Sequence, residues 1–194
     1  MKKIAKQKRG GVKKVILIIV IVILLAALCV FFLARRYYPL RYYDIIEKYA
    51  GEYSLDPELV CAIIHTESRF NENAVSSRGA SGLMQIMEDT AYWIAPMAGL
   101  ENFDYGQIFD PEINIKLGCF YLNMLEKQFG DTKTALSAYN AGSGNVNGWL
   151  GDTRYSSDGK TLDYIPFSET DNYVKRVASS EKIYSIIVKF AFIF

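Results

Sequence analysis

Residues 57–70 read Pro-Glu-Leu-Val-Cys-Ala-Ile-Ile-His-Thr-Glu-Ser-Arg-Phe, and the spacing predicts a helix with a carboxyl on its apolar side. Asp56 is a good N-cap and Pro57 a good first helical residue. Leu59, Ile63 and Glu67 fall at i, i+4 and i+8, with Val60 and Ile64 beside them, so Glu67 continues the stripe that faces the core. A bare charge there costs several kcal/mol. Burial favours the neutral form, so its pKa is expected to rise from about 4.3 towards roughly 6, as a general acid near neutral pH requires. The competing reading is a structural glutamate, hydrogen-bonded or paired with Arg69 or Arg78.

Outward from this helix the chain is mainly helical. Tyr42, Ile45, Ile46 and Tyr49 share a face, with Gly51 ending that helix. A polar loop from Asn71 to Gly82 follows; Leu83 to Ala95 reads as helix, broken by Pro96. Asp110-Pro111 opens a helix to Phe129, striped by Ile113, Leu117, Phe120, Tyr121, Met124 and Leu125. Thr132 to Ala141 and Ser168 to Lys189 are further helices. The stretch from Gly142 to Lys160 reads as a long loop with room for a short hairpin. Few segments alternate with period two, so the fold class is mainly α, with at most a small sheet.

Residues 15–34, VILIIVIVILLAALCVFFLA, carry no charge. As a helix they span about 30 Å, the thickness of a bilayer core. Seven Lys/Arg precede the run and Arg35, Arg36 and Arg41 follow it. That imbalance predicts a single-pass anchor, with residues 1–14 as a basic cytoplasmic tail and residues 35–194 outside the cell membrane. A cleaved signal peptide is the alternative; its apolar core is normally about 7–15 residues, shorter than this run.

The formal net charge is +1. Those seven positives among the 22 leave 15 against 21 acids in the rest, a net of −6. An acidic domain is a poor nucleic-acid binder, so the basic tail is assigned to a membrane. One histidine, His65, and three scattered cysteines, Cys29, Cys61 and Cys119, do not build a usual zinc site, and no metal or cofactor is expected. Whether Cys61 and Cys119 are bridged stays open. Trp93 and Trp149 suit either sugar stacking or core and rim packing.

The runs Glu67-Ser68-Arg69-Phe70, Gly82-Leu83-Met84-Gln85 and Ala138-Tyr139-Asn140-Ala141-Gly142, in this order, resemble the soluble lytic transglycosylase family of the lysozyme superfamily. The helix from Asp110 through Gly118 and the run Glu169-Thr170-Asp171-Asn172-Tyr173-Val174 add to the likeness, which covers about 45–185. The resemblance implies an α+β lysozyme-like domain that cleaves the β-1,4 bond between N-acetylmuramic acid and N-acetylglucosamine in peptidoglycan. It implies no cofactor, and a 1,6-anhydro-muramic end formed when the C6 hydroxyl attacks C1. Glu67 is then the single catalytic residue. Ser68, Gly82, Met84, Gln85, Tyr139, Asn140 and Tyr173 are the expected substrate-binding set. Within it, Ser68 also reads as a helix-end hydroxyl, Met84 as core, and Tyr139 as core packing. A hydrolytic lysozyme and a catalytically silent wall-binding protein are the rival readings.

Overall fold

A computed structural model describes residues 2–191, with side chains from Lys13 to Phe190. The basic residues before Lys13 therefore lie outside the described side chains. The chain divides into two compact units, Met1–Pro39 and Leu40–Phe194.

The first unit is one helix, α1 (Lys2–Tyr37). Every residue from Val15 to Val30 is exposed. Among the described residues this helix alone, over Lys13–Tyr37, is long and apolar enough to cross a membrane. A stripe this continuously apolar has no polar face to turn to water.

The second unit holds α2 (Tyr43–Glu52), α3 (Pro57–Ser68), α4 (Glu88–Ile94), a 3-10 turn (Tyr105–Phe109), α5 (Pro111–Phe129), α6 (Thr132–Ala141), α7 (Ser143–Leu150) and α8 (Ser168–Ala191). Among the described residues the only β pairing is two isolated antiparallel bridges, Val75 with Ser81 and Ser81 with Ile86. The mainly α expectation is met.

The core forms where α3 lies against α8 and where α6 is enclosed by α5, α7 and α8. Along α8, Tyr173, Val177, Tyr184, Ile187 and Val188 are buried at helical spacing. In α6 Thr134 to Ala138 are buried on every side, a pattern only a central helix tolerates. Its buried hydroxyls stay partnered: Thr134 Oγ1 donates to Asp131 (2.6 Å) and Ser137 Oγ to the Lys133 carbonyl (2.8 Å).

Three local expectations are corrected. Residues 83–87 are not helical; α4 begins only at Glu88, because the Asn114 side chain claims the Met84 N–H at 2.8 Å and Gln85 is left-handed at φ 49°. Residues 143–150 are a helix rather than loop, since Val146 and Trp149 share a buried side. The buried face of α5 takes in Asn114, Cys119 and Leu122, while Phe120, Tyr121 and Met124 are only part-buried. Cys61 and Cys119 are both buried and unbridged, and burial pushes both thiols up.

Candidate active site

Glu67 is the penultimate residue of α3. Asp56 caps the start of this helix, accepting from the Glu58 N–H at 3.0 Å, and Leu59 to Ile64 are buried. The helix stops because Arg69 and Phe70 both turn left-handed, at φ 52° and 62°. Phe70 is driven into the core against Tyr184, ring centroids 6.3 Å apart, while Arg41 donates to its carbonyl at 3.3 Å. Burial of this aromatic ring stabilises by about 2–3 kcal/mol, which offsets part of the strain of about 1–3 kcal/mol at each of the two left-handed residues. Glu67 is thus held at the end of a dry helix, part-exposed at its tip.

The loop from Asn71 to Met87 makes one wall. It is pinned by Asn114 of α5, which is fully buried. Its Nδ2 donates to the Ser81 and Ile108 carbonyls at 3.1 and 2.8 Å, and its Oδ1 accepts from Met84 N–H. Both donors and one acceptor position of the amide are thus spent on backbone. Gly82, at φ 80°, lies so close that a Cβ would stand 2.0 Å from Asn114 Nδ2. Gln85 turns its Nε2 into the same loop, donating to the Ala74 and Gly82 carbonyls at 3.1 and 2.8 Å.

The opposite wall comes from the end of α6 and the start of α8. Tyr139 Oη donates to the Met84 carbonyl at 2.8 Å, joining α6 to the loop. Asn140 Oδ1 accepts from Thr170 Oγ1 at 2.8 Å, which orients the Asn140 amide nitrogen as the free end of that side chain. Tyr173 of α8 is 1 % exposed. Its hydroxyl is buried without a partner of normal hydrogen-bond geometry, beside the Glu67 carboxyl with which it interacts.

Between these walls lies a cavity of about 530 Å³. Glu67 lines it with Gln85, Tyr121, Tyr139, Asn140 and Glu169, among others. A second cavity of about 450 Å³ shares Arg78, Asn140, Ala141 and Glu169 with it, so the two form one groove. The Arg78–Glu169 ion pair, 3.7 Å long, stands where they meet.

Burial pushes the Glu67 carboxyl up to about 7, against smaller opposing effects from the Tyr173 hydroxyl and the Arg176 charge. Burial and the negative charge of Glu67 hold the Tyr139 and Tyr173 phenols well above their ordinary range. Both therefore remain neutral donors. Glu67 and Glu169 are the two carboxyls on the cavity wall, and Glu169 is exposed and engaged by Arg78. The site thus offers one dry, half-protonated carboxyl near neutrality.

Of the predicted residues, Glu67, Gln85, Tyr139 and Asn140 share the cavity. Tyr173 stands behind it against Glu67. Ser68, Gly82 and Met84 do not line it: Ser68 Oγ donates to the Ile64 carbonyl at 3.1 Å, and Gly82 and Met84 are the buried part of the loop, packed against α5. Met84 serves through its backbone and through packing on Gly118, where a Cβ would meet its Sδ at 2.2 Å. His65 is buried in a helix contact, its ring 6.1 Å from that of Tyr184. Thr90, Tyr121 and the Arg78–Glu169 pair were not anticipated as lining. Asn114 carried a signal: an amide among the buried apolar positions of α5 demands backbone partners.

The Transglycosylase SLT domain family matches residues 44–162. The soluble lytic murein transglycosylase of Escherichia coli K12 is 39% identical over 150 residues, 76% of this chain and 23% of that protein. The membrane-bound lytic murein transglycosylase C of Yersinia pestis is 32% identical over 168 residues, 74% of this chain and 46% of the relative. The chain therefore spans under half the length of these relatives. Among solved structures, the 70 kDa soluble lytic transglycosylase of E. coli superposes with a TM-score of 0.71 at 34% identity, over 80% of this chain and 26% of that one. An inactive glutamate-to-glutamine mutant of the lytic transglycosylase Slt from Pseudomonas aeruginosa gives 0.69 at 34% identity, over 78% and 25%. With more than half its residues matched, and with the same arrangement of helices as these enzymes, the chain belongs to the Transglycosylase SLT domain family.

Proposed function

We propose that the protein is a peptidoglycan lytic transglycosylase in which Glu67 is the catalytic acid and then the base. The observation that carries this reading is the pairing of a buried carboxyl, raised to about 7, with a groove of two adjoining cavities, the first of which that carboxyl lines. Protonated Glu67 gives its proton to the glycosidic oxygen as the C1–O bond breaks. The substrate's acetamido oxygen supports the positive charge at C1. The muramic C6 hydroxyl then attacks C1 and returns its proton to the carboxylate, closing a 1,6-anhydro ring with no water consumed. Hydrolytic glycosidases normally need two carboxyls; Glu67 is the one buried carboxyl on the cavity wall, Glu169 being exposed, and this supports the one-carboxyl route.

Asn140, through its amide nitrogen, and Gln85, through its Oε1, are suited to an N-acetyl group. Tyr173 and Tyr139 set the protonation and position of the acid and the loop. Ser68, Gly82 and Met84 support the walls rather than touch sugar. The name of the membrane-bound Yersinia relative and the apolar span Lys13–Tyr37 support attachment to a membrane. The excess of Lys/Arg before that span supports an N-terminus in the cytoplasm and a groove on the side of the wall.

The test uses the full chain in detergent with purified sacculi, and mass spectrometry of the released muropeptides. Anhydro-muramic ends are expected from the wild type, and none from Glu67→Gln. Reducing ends would make the enzyme a lysozyme. Undiminished cleavage by Glu67→Gln would remove the acid from the mechanism.

A further inference from the structure

An aromatic row leads out of the cavity past the residues just assigned. Tyr139 and Tyr121 both line it, ring centroids 5.4 Å apart. Tyr121 in turn makes an edge-to-face contact with Trp93, ring centroids 6.3 Å apart and planes at 79°. Trp93 is not a cavity residue, and it is 56% exposed. It stands one turn beyond Thr90, a cavity-lining residue of the same helix, so the two share a side of α4. The other tryptophan, Trp149, is packed against Phe167 at 4.9 Å and is buried. Trp93 is thus a large exposed indole in edge-to-face contact with a ring that lines the cavity, placed to extend the groove outward.

The chemistry of the surroundings narrows that ligand. The first turn of α4 carries Glu88 and Asp89, both exposed, so a polyanion would be repelled. Met87 through Asp104 itself carries no Arg or Lys, and the Lys116 ammonium of α5 approaches this segment at Gly99, six residues beyond Trp93. A pyranose ring fits: its C–H-bearing face is apolar and weakly positive, matching the negative face of an indole. Its hydroxyl edge can meet the Thr90 hydroxyl at the cavity rim.

We propose that Trp93, backed by Tyr121, is a stacking platform for a sugar ring of the glycan strand distant from the bond that Glu67 cleaves. This rests on the reading that the groove takes a glycan. The platform contributes binding that is equal before and in the transition state, so its loss raises KM more than it lowers kcat.

The direct test separates the two. Full-chain Glu67→Gln protein in detergent is titrated calorimetrically with β-1,4-linked N-acetylglucosamine disaccharide and tetrasaccharide, with and without Trp93→Ala or Trp93→Phe. The tetrasaccharide should bind about tenfold more weakly to Trp93→Ala. Trp93→Phe, which keeps a ring, should recover most of that loss, and the disaccharide should lose less. Equal tetrasaccharide affinity in all three proteins overturns the platform. Wild-type cleavage of sacculi is measured in parallel. Trp93-dependent binding without cleavage would leave the platform standing and sink the enzymatic reading. Cleavage without Trp93-dependent binding would do the reverse.

Discussion

The hydroxyl of Tyr139 donates to the backbone oxygen of Met84 at 2.8 Å, tying the end of α6 to the wall loop opposite the acid. A tyrosine expected at the sugar is therefore also a strut of the groove. Tyr139→Phe removes only the Oη. It leaves the Met84 carbonyl unpaired in a buried setting, a loss of about 1–2 kcal/mol. Denaturant unfolding should show that drop. Strand cleavage should fall at least tenfold, since the loop that faces Glu67 loses its tie.

Glu67 is held neutral in the fold up to about pH 7, while the unfolded chain ionises it above about pH 4.3. Between those values the folded state binds more protons, so stability falls as pH rises through that window. Glu67→Gln abolishes this slope. Thermal melts of the full chain should show the glutamine variant more stable at pH 8 and little changed at pH 4, with about 2–4 °C of difference per kcal/mol. A variant without gain at pH 8 would mean the carboxyl is not buried at a cost.

Cleavage needs the proton on Glu67 at the outset. The rate constant kcat/KM should therefore be level on the acid side and fall about tenfold per pH unit above about 7. The Tyr173 hydroxyl stabilises the carboxylate and holds this value down. Tyr173→Phe should move the falling limb to higher pH. A limb that stays in place would detach Tyr173 from the acid.

Asn114 makes three hydrogen bonds to backbone and uses both of its N–H donors. Asn114→Ala strands the Met84 N–H and two carbonyls, and should cost about 3 kcal/mol or more. Gly82→Ala should be as severe, because a Cβ there meets Asn114 and the backbone is left-handed. Urea midpoints would measure both. Asn114→Ala with wild-type stability would refute the clamp.

What the sequence disclosed follows from how far each residue's surroundings are local. The helices α3, α5, α6 and α8 were legible because capping by Asp56 and Asp110, and runs such as Leu59 to Ile64, are settled within a few turns. So was the placement of Glu67 on an apolar side. The loop 71–87 was not, because Asn114 fixes it from about thirty residues away and no spacing encodes that. For the same reason the packing of Gly82 and Met84 against α5 shows only in the structure, where Met84 takes its alternative reading as core. Trp93 and Tyr121 are separated by 28 positions, and only the packing of α4 on α5 brings their rings together.

The left-handed pair Arg69–Phe70 has a consequence for how this protein can vary. Had α3 continued, its next turn would have covered the carboxyl with more of its own length. By reversing the chain there, the fold keeps Glu67 at a rim, dehydrated from behind yet reachable from the front. Insertions directly after Ser68 would extend the rod and bury that opening.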